Sequence, residues 1–461
     1  MTAPLKQSMH RLGALLITVS NVTPAASVFI MGQAVIGQAG TGALLCFLAA
    51  GLLGLATAYV YAELSSAFPL TGGEYSMIGA TMGPAWGFMA LGLNLVGGGL
   101  GQAVTALGLA EYLNVAFPGV PALPTALAAT AGVTLLSVLH VRTNAWITGV
   151  FLLVELAAIG LLAALGFLHP HRDIVTALLH PVMLSGAGAL VSTPLAAIGL
   201  ATAGAIYAFN GYGGAVFFGE EMVESRTKLA WVVFWSLAIG AVAELGPIAA
   251  FVTGAGDLKA ILAAPAPLPA FILSTGGAAL NTAISLGIAF AIVNAMIAVA
   301  LINARQLYAS ARDGVWPKPL NRALEAVHPR FNSPWIAALV MGAATAACCF
   351  FDLNTLVMLT ANGLVLVYAG VSIAVLIGRR TGATAGGHYR MPWFPLAPVL
   401  ALAALAAVAV ADLADAQTGR PSLIANIVVM LAFAAYHRLY LRRRGGWALR
   451  GSDGEDLRAK A

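Results

Sequence analysis

The sequence predicts an all-α integral membrane protein of about twelve transmembrane helices, and three observations predict it. Hydrophobic residues make up 60% of the 461 residues and charged residues only 9%, against about 25% charged in a typical soluble domain. Apolar runs of about 20 residues, the length that crosses a bilayer as a helix, recur from end to end. Two of these runs are interrupted near the same internal position by short stretches of small residues. A helix in lipid must satisfy its own backbone groups, so broken backbone at membrane depth is tolerated only where it is buried in protein or lines a cavity.

The predicted spans cover 13–39, 43–67, 85–112, 122–140, 145–168, 196–222, 229–253, 277–309, 334–351, 354–378, 393–415 and 421–440. The first, too long for a signal-peptide core and followed by eleven others, is expected to be retained. It carries Pro24-Ala25-Ala26-Ser27-Val28-Phe29, and the sixth carries Asn210-Gly211-Tyr212-Gly213-Gly214-Ala215-Val216-Phe217. Val28-Phe29 falls on Val216-Phe217 when the chain is slid against itself. Small residues also let helices pack closely, which would explain either break alone. The matched pair, with Pro in one and Asn and several Gly in the other, points to the substrate site of a transporter built from inverted repeats.

Basic residues set the orientation. With the N-terminus inside, the outer loops hold only Arg172, Lys259 and Arg420 of the 23 Lys and Arg. Lys6, Arg11, Arg142, Arg226, Lys228, Arg379, Arg380 and Arg442, Arg443 and Arg444 all fall inside. This is the positive-inside pattern, and it places both termini in the cytoplasm. The net charge of +5 then reflects contact with an anionic inner leaflet rather than nucleic-acid binding. Cys46, Cys348 and Cys349 lie in or beside spans, away from any outer loop, and read as packing residues.

Three stretches resemble the amino acid–polyamine–organocation (APC) superfamily of permeases. Glu63-Leu64 through Phe68-Pro69 to Gly72-Gly73-Glu74-Tyr75 is similar to the loop after that family's second span. Ala208-Phe209-Asn210-Gly211-Tyr212, followed by Glu220-Glu221, resembles its sixth-span break. Arg305-Gln306-Leu307-Tyr308, Ala311-Arg312-Asp313-Gly314 and Val327-His328-Pro329-Arg330 match its loop after the eighth span. The resemblance runs in order from the first span to the ninth. It implies the LeuT-type fold: a 5+5 inverted repeat with helices 1 and 6 discontinuous, plus two C-terminal helices. The expected divisions are a cytoplasmic tail 1–12, a first repeat 13–168, a second repeat 196–378, helices 11 and 12 over 393–440, and a cytoplasmic tail 441–461.

This chain departs from the family pattern in places that bear on substrate. Ala25-Ala26-Ser27 behind Pro24 stands where many members have Gly-Ser-Gly. Gly213 stands where cationic-amino-acid members often have an acid, and Ser225 where a proline usually follows the paired glutamates. The first-span pattern looks closer to the polyamine-importer branch.

The chemistry of the breaks follows from helix ends. An unwound turn exposes N–H groups on the half-helix after it and carbonyls on the one before. The positive N-terminal end suits a carboxylate and the negative C-terminal end an ammonium. Ala25, Ala26 and Ser27 are therefore candidate donors to a substrate carboxylate. Tyr207, Ala208 and Phe209 are candidate acceptors for an amine, beside Asn210 and Gly211. Phe209 or Tyr207 could cover the ligand as a gate, or simply pack between helices.

Glu63 and Glu74 read as loop and helix-end residues holding the cytoplasmic side together. Glu220 and Glu221 read as salt-bridge partners of nearby Arg226 and Lys228, and Glu111 as a solvated residue. His169, His171 and His180 show no metal spacing. Glu155 and Glu244 differ because they fall near the middle of the fifth and seventh spans, where carboxyls are costly and functional by default. Desolvation disfavours the charged form of a buried acid and suits it to proton exchange. Glu155 also stands where some proton-coupled members of the family keep a lysine. The competing reading for both is a protonated acid hydrogen-bonded between helices.

The expectation is a secondary-active permease of the cytoplasmic (inner) membrane. It would move an amino acid or related small amine by alternating access, by proton coupling or exchange, with a putrescine-like diamine importer as the alternative. No continuous polar pore supports a channel, and no metal-ligand cluster or catalytic elbow supports an enzyme. No cofactor, metal or nucleic acid is expected. With no outer-loop cysteine, no disulfide-linked partner subunit is expected either. The orientation has a direct check. Single cysteines placed beside Arg172 and Arg420 should react with an impermeant maleimide added outside, and one beside Arg380 should not. The opposite pattern would invert the topology.

Overall fold

A computed structural model describes residues 5–444 and 448–450, so the expected tails 1–12 and 441–461 lie partly outside the described residues. The chain is a bundle of long apolar helices, as an all-α membrane protein requires. Nine helical stretches among the described residues are long and apolar enough to cross a membrane, and Ala122–Ser137 and Trp335–Cys348 are shorter apolar helices. Leu52, Trp146, Leu195, Leu200 and Val242 stand exposed on the outer surface. Such a belt is expensive in water and natural in lipid.

The innermost helix is Pro267–Arg312, whose apolar window is 78% buried. Gly277, at φ 78°, interrupts it, so its long straight part begins where the sequence places the eighth span. Around it pack Pro84–Ala116, Val141–Leu168, Trp335–Cys348 and Ala122–Ser137, together with the first broken helix. The pair at the C-terminal end, Leu396–Ala414 and Gly419–Arg444, is only 17% buried in its apolar windows and lies on the periphery.

The stretch Arg11–Ala67 is interrupted at Gly40. Gly40 has φ 58°, and a Cβ there would stand 2.1 Å from the Val182 carbonyl oxygen. Only glycine fits. Pressing on that turn is a short antiparallel hairpin, Val182–Leu184 with Leu190–Ser192, a small departure from the all-α expectation. Thr41 Oγ1 accepts from the Val182 N–H at 2.8 Å, and Thr193 Oγ1 donates to the Ala39 carbonyl at 3.1 Å. The loop between the two expected repeats is thereby fastened to the first.

At the opposite end, charged side chains tie the helices together. Glu221 pairs with Arg305, both side chains at most 1% exposed, and Glu220 pairs with Arg312. Glu63 takes two bonds from Arg379, at 2.5 and 2.7 Å, and a third from the Met391 N–H at 2.9 Å. Tyr75 donates to Asp313. The expected partners Arg226 and Lys228 are not those of Glu220 and Glu221. Lys228 instead bonds Glu224, four residues back on its own helix. Met9 bridges Met222, and the Arg450 N–H bonds Asp313, so both ends of the described chain meet here.

Stranding one member of a buried ion pair leaves an uncompensated charge, at a cost of about 3–5 kcal/mol. Glu221→Gln should therefore lower stability by about 3–5 kcal/mol, read as a fall in melting temperature in detergent. Replacing Arg305 and Glu221 together by methionine should recover most of it. A single variant that melts like the wild type would remove this pair from the interactions holding the fold.

Candidate functional site between two broken helices

The first break is a single residue. Helix Arg11–Val22 ends, Thr23 turns left-handed at φ 55° and ψ 55°, and helix resumes at Pro24. A proline bars the preceding residue from the right-handed helical region, and its missing N–H costs nothing in the first turn of a new helix. From Ser27 to Gly32 the backbone widens into a π-helical turn before Gln33–Ala39. The break is thus one residue earlier and narrower than Pro24–Phe29. Of the three expected donors, Ala25 gives its N–H to Glu155 at 2.9 Å and Ser27 gives its own to the Thr23 carbonyl at 2.8 Å. Ala26, the third, lies in the first turn of the new helix.

The second break follows Leu195–Ala208. Gly211 has φ 114°, and the chain continues as a tight 3-10 turn over Tyr212–Phe218. A Cβ on Gly211 would stand 2.4 Å from the Asn21 carbonyl oxygen, so the second break lies directly against the first. Asn21 Nδ2 donates to the Gly211 carbonyl at 2.9 Å, and Ser27 Oγ donates to the Ala208 carbonyl at 2.9 Å. The first broken helix thus supplies donors to carbonyls of the second.

Beside this junction lies a cavity of about 220 Å³. Ala26, Ser27, Tyr207, Ala208, Asn210 and Gly211 all stand on its wall. Two expected site residues do not. Ala25 faces Glu155, and Phe209 turns the other way, its ring 6.0 Å from that of Phe47 and over Gly51 and Gly54. Phe209 is a packing residue here, and of the two expected gates only Tyr207 is on the cavity wall.

Sequence reasoning passed over the rest of the wall. Tyr368 comes from the tenth predicted span and donates to Asn210 Oδ1 at 2.9 Å. Asn303 and Gln306 come from the long central helix, and Asn94, Gly97, Gly98 and Gly101 from the third span. Glu74, read from sequence as a helix-end residue, is also on the wall. Tyr61 donates to its Oε1 at 2.9 Å and Asn94 Nδ2 to its Oε2 at 3.2 Å. Only the spacing Asn94-Gly97-Gly98-Gly101 could have signalled a helix face cleared for a ligand.

Glu155 and Glu244 lie outside that wall, behind the first broken helix, and both are fully buried. Glu155 accepts from Ala25 and, at 3.3 Å, from Asn294 Nδ2, which also reaches Ser20 Oγ at 2.9 Å. The fifth, first and eighth predicted spans therefore meet at one carboxyl group. Neither oxygen of Glu244 has a hydrogen-bond partner among the described residues.

Comparisons with known proteins bear directly on this arrangement. The family model for amino acid permeases matches residues 10–433, which takes in both breaks and the whole cavity wall. An uncharacterized transporter of Mycobacterium tuberculosis is 28% identical over 352 residues, 73% of either chain. A branched-chain amino acid permease of Bacillus subtilis is 22% identical over 425 residues, 87% of either chain. A low-affinity putrescine importer of Escherichia coli is 21% identical over 358 residues, 75% of this chain and 76% of its own.

Proposed function

The chain belongs to the amino acid permease family, and from that premise we propose how it works. It is a membrane transporter that moves an amino acid or a related small amine, and not an enzyme. Its site is the cavity beside the two breaks, and the observation that carries this reading is their mutual hydrogen bonding around a shared wall. A substrate carboxylate takes the Ala26 N–H at the start of a half-helix, where the partial charge is positive. The amine lies toward the carbonyl end of Leu195–Ala208, with Tyr207 against it. The putrescine importer among the relatives keeps the diamine alternative in view.

The proposed topology has twelve crossings in two inverted repeats, 13–168 and 196–378, with helices 11 and 12 after them. The break at Gly40 and the two shorter apolar helices support this count, because they bring the nine long stretches to twelve. The lopsided Lys and Arg support an inner-membrane protein with both termini cytoplasmic. Transport is by alternating access, the motion of the broken helices exposing the cavity to either side.

Glu155 is the proposed coupling residue. Its negative charge holds the Ala25 N–H, a charge-assisted bond roughly twice as strong as a neutral one. Protonation removes the charge, weakens that bond and loosens the first broken helix from the fifth span. Glu244, with no partner among the described residues, plays a supporting part in the same proton equilibrium.

Two substitutions test the site and the coupling separately. Ala26→Trp fills the cavity beside the first break, so uptake into proteoliposomes should vanish while the purified protein keeps its elution profile and melting temperature. Normal uptake would overturn the site. Glu155→Gln mimics the protonated form and should retain exchange while losing the pH dependence of net uptake. If Glu244→Gln loses it and Glu155→Gln does not, the two roles are reversed. If both keep wild-type pH dependence, the two acids are structural.

A further inference from the structure

We propose that the cavity contains a subsite for a substrate ammonium with Glu74 as its counter-charge, so that the transported amine carries net positive charge. This deepens the permease reading and rests on it. Buried carboxylates elsewhere in the bundle are matched by arginines: Glu63 by Arg379, Glu220 by Arg312 and Glu221 by Arg305. Glu74 is not. It is 8% exposed, stands on the cavity wall, and is bonded only by the neutral groups of Tyr61 and Asn94. Among the described residues it is the one acidic side chain on that wall, and no Lys, Arg or His faces it there. A carboxyl removed from water must take a proton or a compensating cation. Glu155 and Glu244 also lack one, but only Glu74 stands where a ligand could bring it.

The surrounding groups fit an ammonium. Gln306 is 4% exposed, lies on the same wall, and its Oε1 has no hydrogen-bond partner among the described residues. Asn303, one turn earlier, points its Oδ1 into the space that Gly98 leaves open, where a Cβ would stand 2.2 Å away. Carboxylate and amide oxygens from two helices thus belong to one cavity wall, and an ammonium has three N–H groups to place among them. The Tyr61 and Tyr368 rings, 5.9 Å apart, add aromatic surface of the kind that attracts cations. Two substrate types carry the required charge: a cationic amino acid, which would also use the Ala26 N–H, and a diamine, which would not.

The test measures thermal stabilisation of the purified full chain by L-leucine, L-lysine and 1,4-diaminobutane. Lysine or the diamine should act at concentrations roughly tenfold or more below those of leucine, the size of one charged hydrogen-bonded contact. Glu74→Gln keeps an oxygen for Tyr61 and should erase that gap. Should that variant fail to fold, the preference of the wild type decides alone. Equal effects of leucine and the cationic ligands on the wild type would overturn the subsite and leave the permease reading standing. So would an undiminished preference in folded Glu74→Gln. Stabilisation by none of the three would overturn both.

Discussion

Broken backbone inside a membrane protein must find partners within the protein, and that constraint organises this bundle. The breaks at Thr23 and Gly211 meet it by being placed against each other. Asn21 closes on the Gly211 carbonyl and Ser27 on the Ala208 carbonyl, across sequence separations of 190 and 181 residues. Glu155 closes on Ala25 from a third helix. Removing any of these groups leaves a backbone donor or acceptor stranded where water does not reach. The same requirement explains why Gly211 can be nothing larger. The junction is as tight as two crossing backbones allow, and the cavity occupies the space beside it.

The parts of this architecture that depend on solvent and backbone chemistry were legible in the sequence. Apolar runs gave the helices, and Pro24 and Gly211 gave the breaks, because each forces a local backbone state whatever surrounds it. The parts that depend on which face of a helix meets which neighbour were not. Phe209 and Tyr207 are two residues apart and turn to opposite surroundings, one to Phe47 and one to the cavity. Glu220 and Glu221 sit near Arg226 and Lys228 in sequence yet bond arginines 92 and 84 residues away. Charges pair by tertiary position, and short chain separation is a poor guide once the helix has ended between them. Glu74 was misread for the same reason. A helix-end position says nothing about whether the end opens on solvent or on a cavity.

Sorting the buried acids by partner separates support from function. Glu63, Glu220 and Glu221 each face an arginine and join helix ends on the side where both ends of the described chain meet. Breaking such a pair is destabilising, so they act as fixed ties. Glu74, Glu155 and Glu244 have no basic partner among the described residues, and each must be satisfied by a proton or by a cation that comes and goes. Their positions divide that work. Glu74 stands on the cavity wall, where a substrate reaches it, whereas Glu155 and Glu244 lie behind the first broken helix, where only a proton fits.

In the proposed cycle the chemical type of Glu155 decides what it can couple to. A lysine at this position would donate to carbonyls at the end of the half-helix before the break. A carboxylate accepts, so it binds the N-terminal end of the half-helix after the break, the end that a substrate carboxylate also seeks. Ala25 and Ala26 are consecutive residues of that one turn, the first with its N–H held by Glu155 and the second on the cavity wall. Two negative groups on adjacent donors repel each other in a low-dielectric site. Binding an anionic end at Ala26 therefore raises the cost of keeping Glu155 ionised, and protonating Glu155 eases that binding. Substrate and proton are linked through two successive peptide groups, with no longer relay needed. A diamine carries no carboxylate and escapes this linkage, so the strength of proton coupling itself distinguishes the two substrate types.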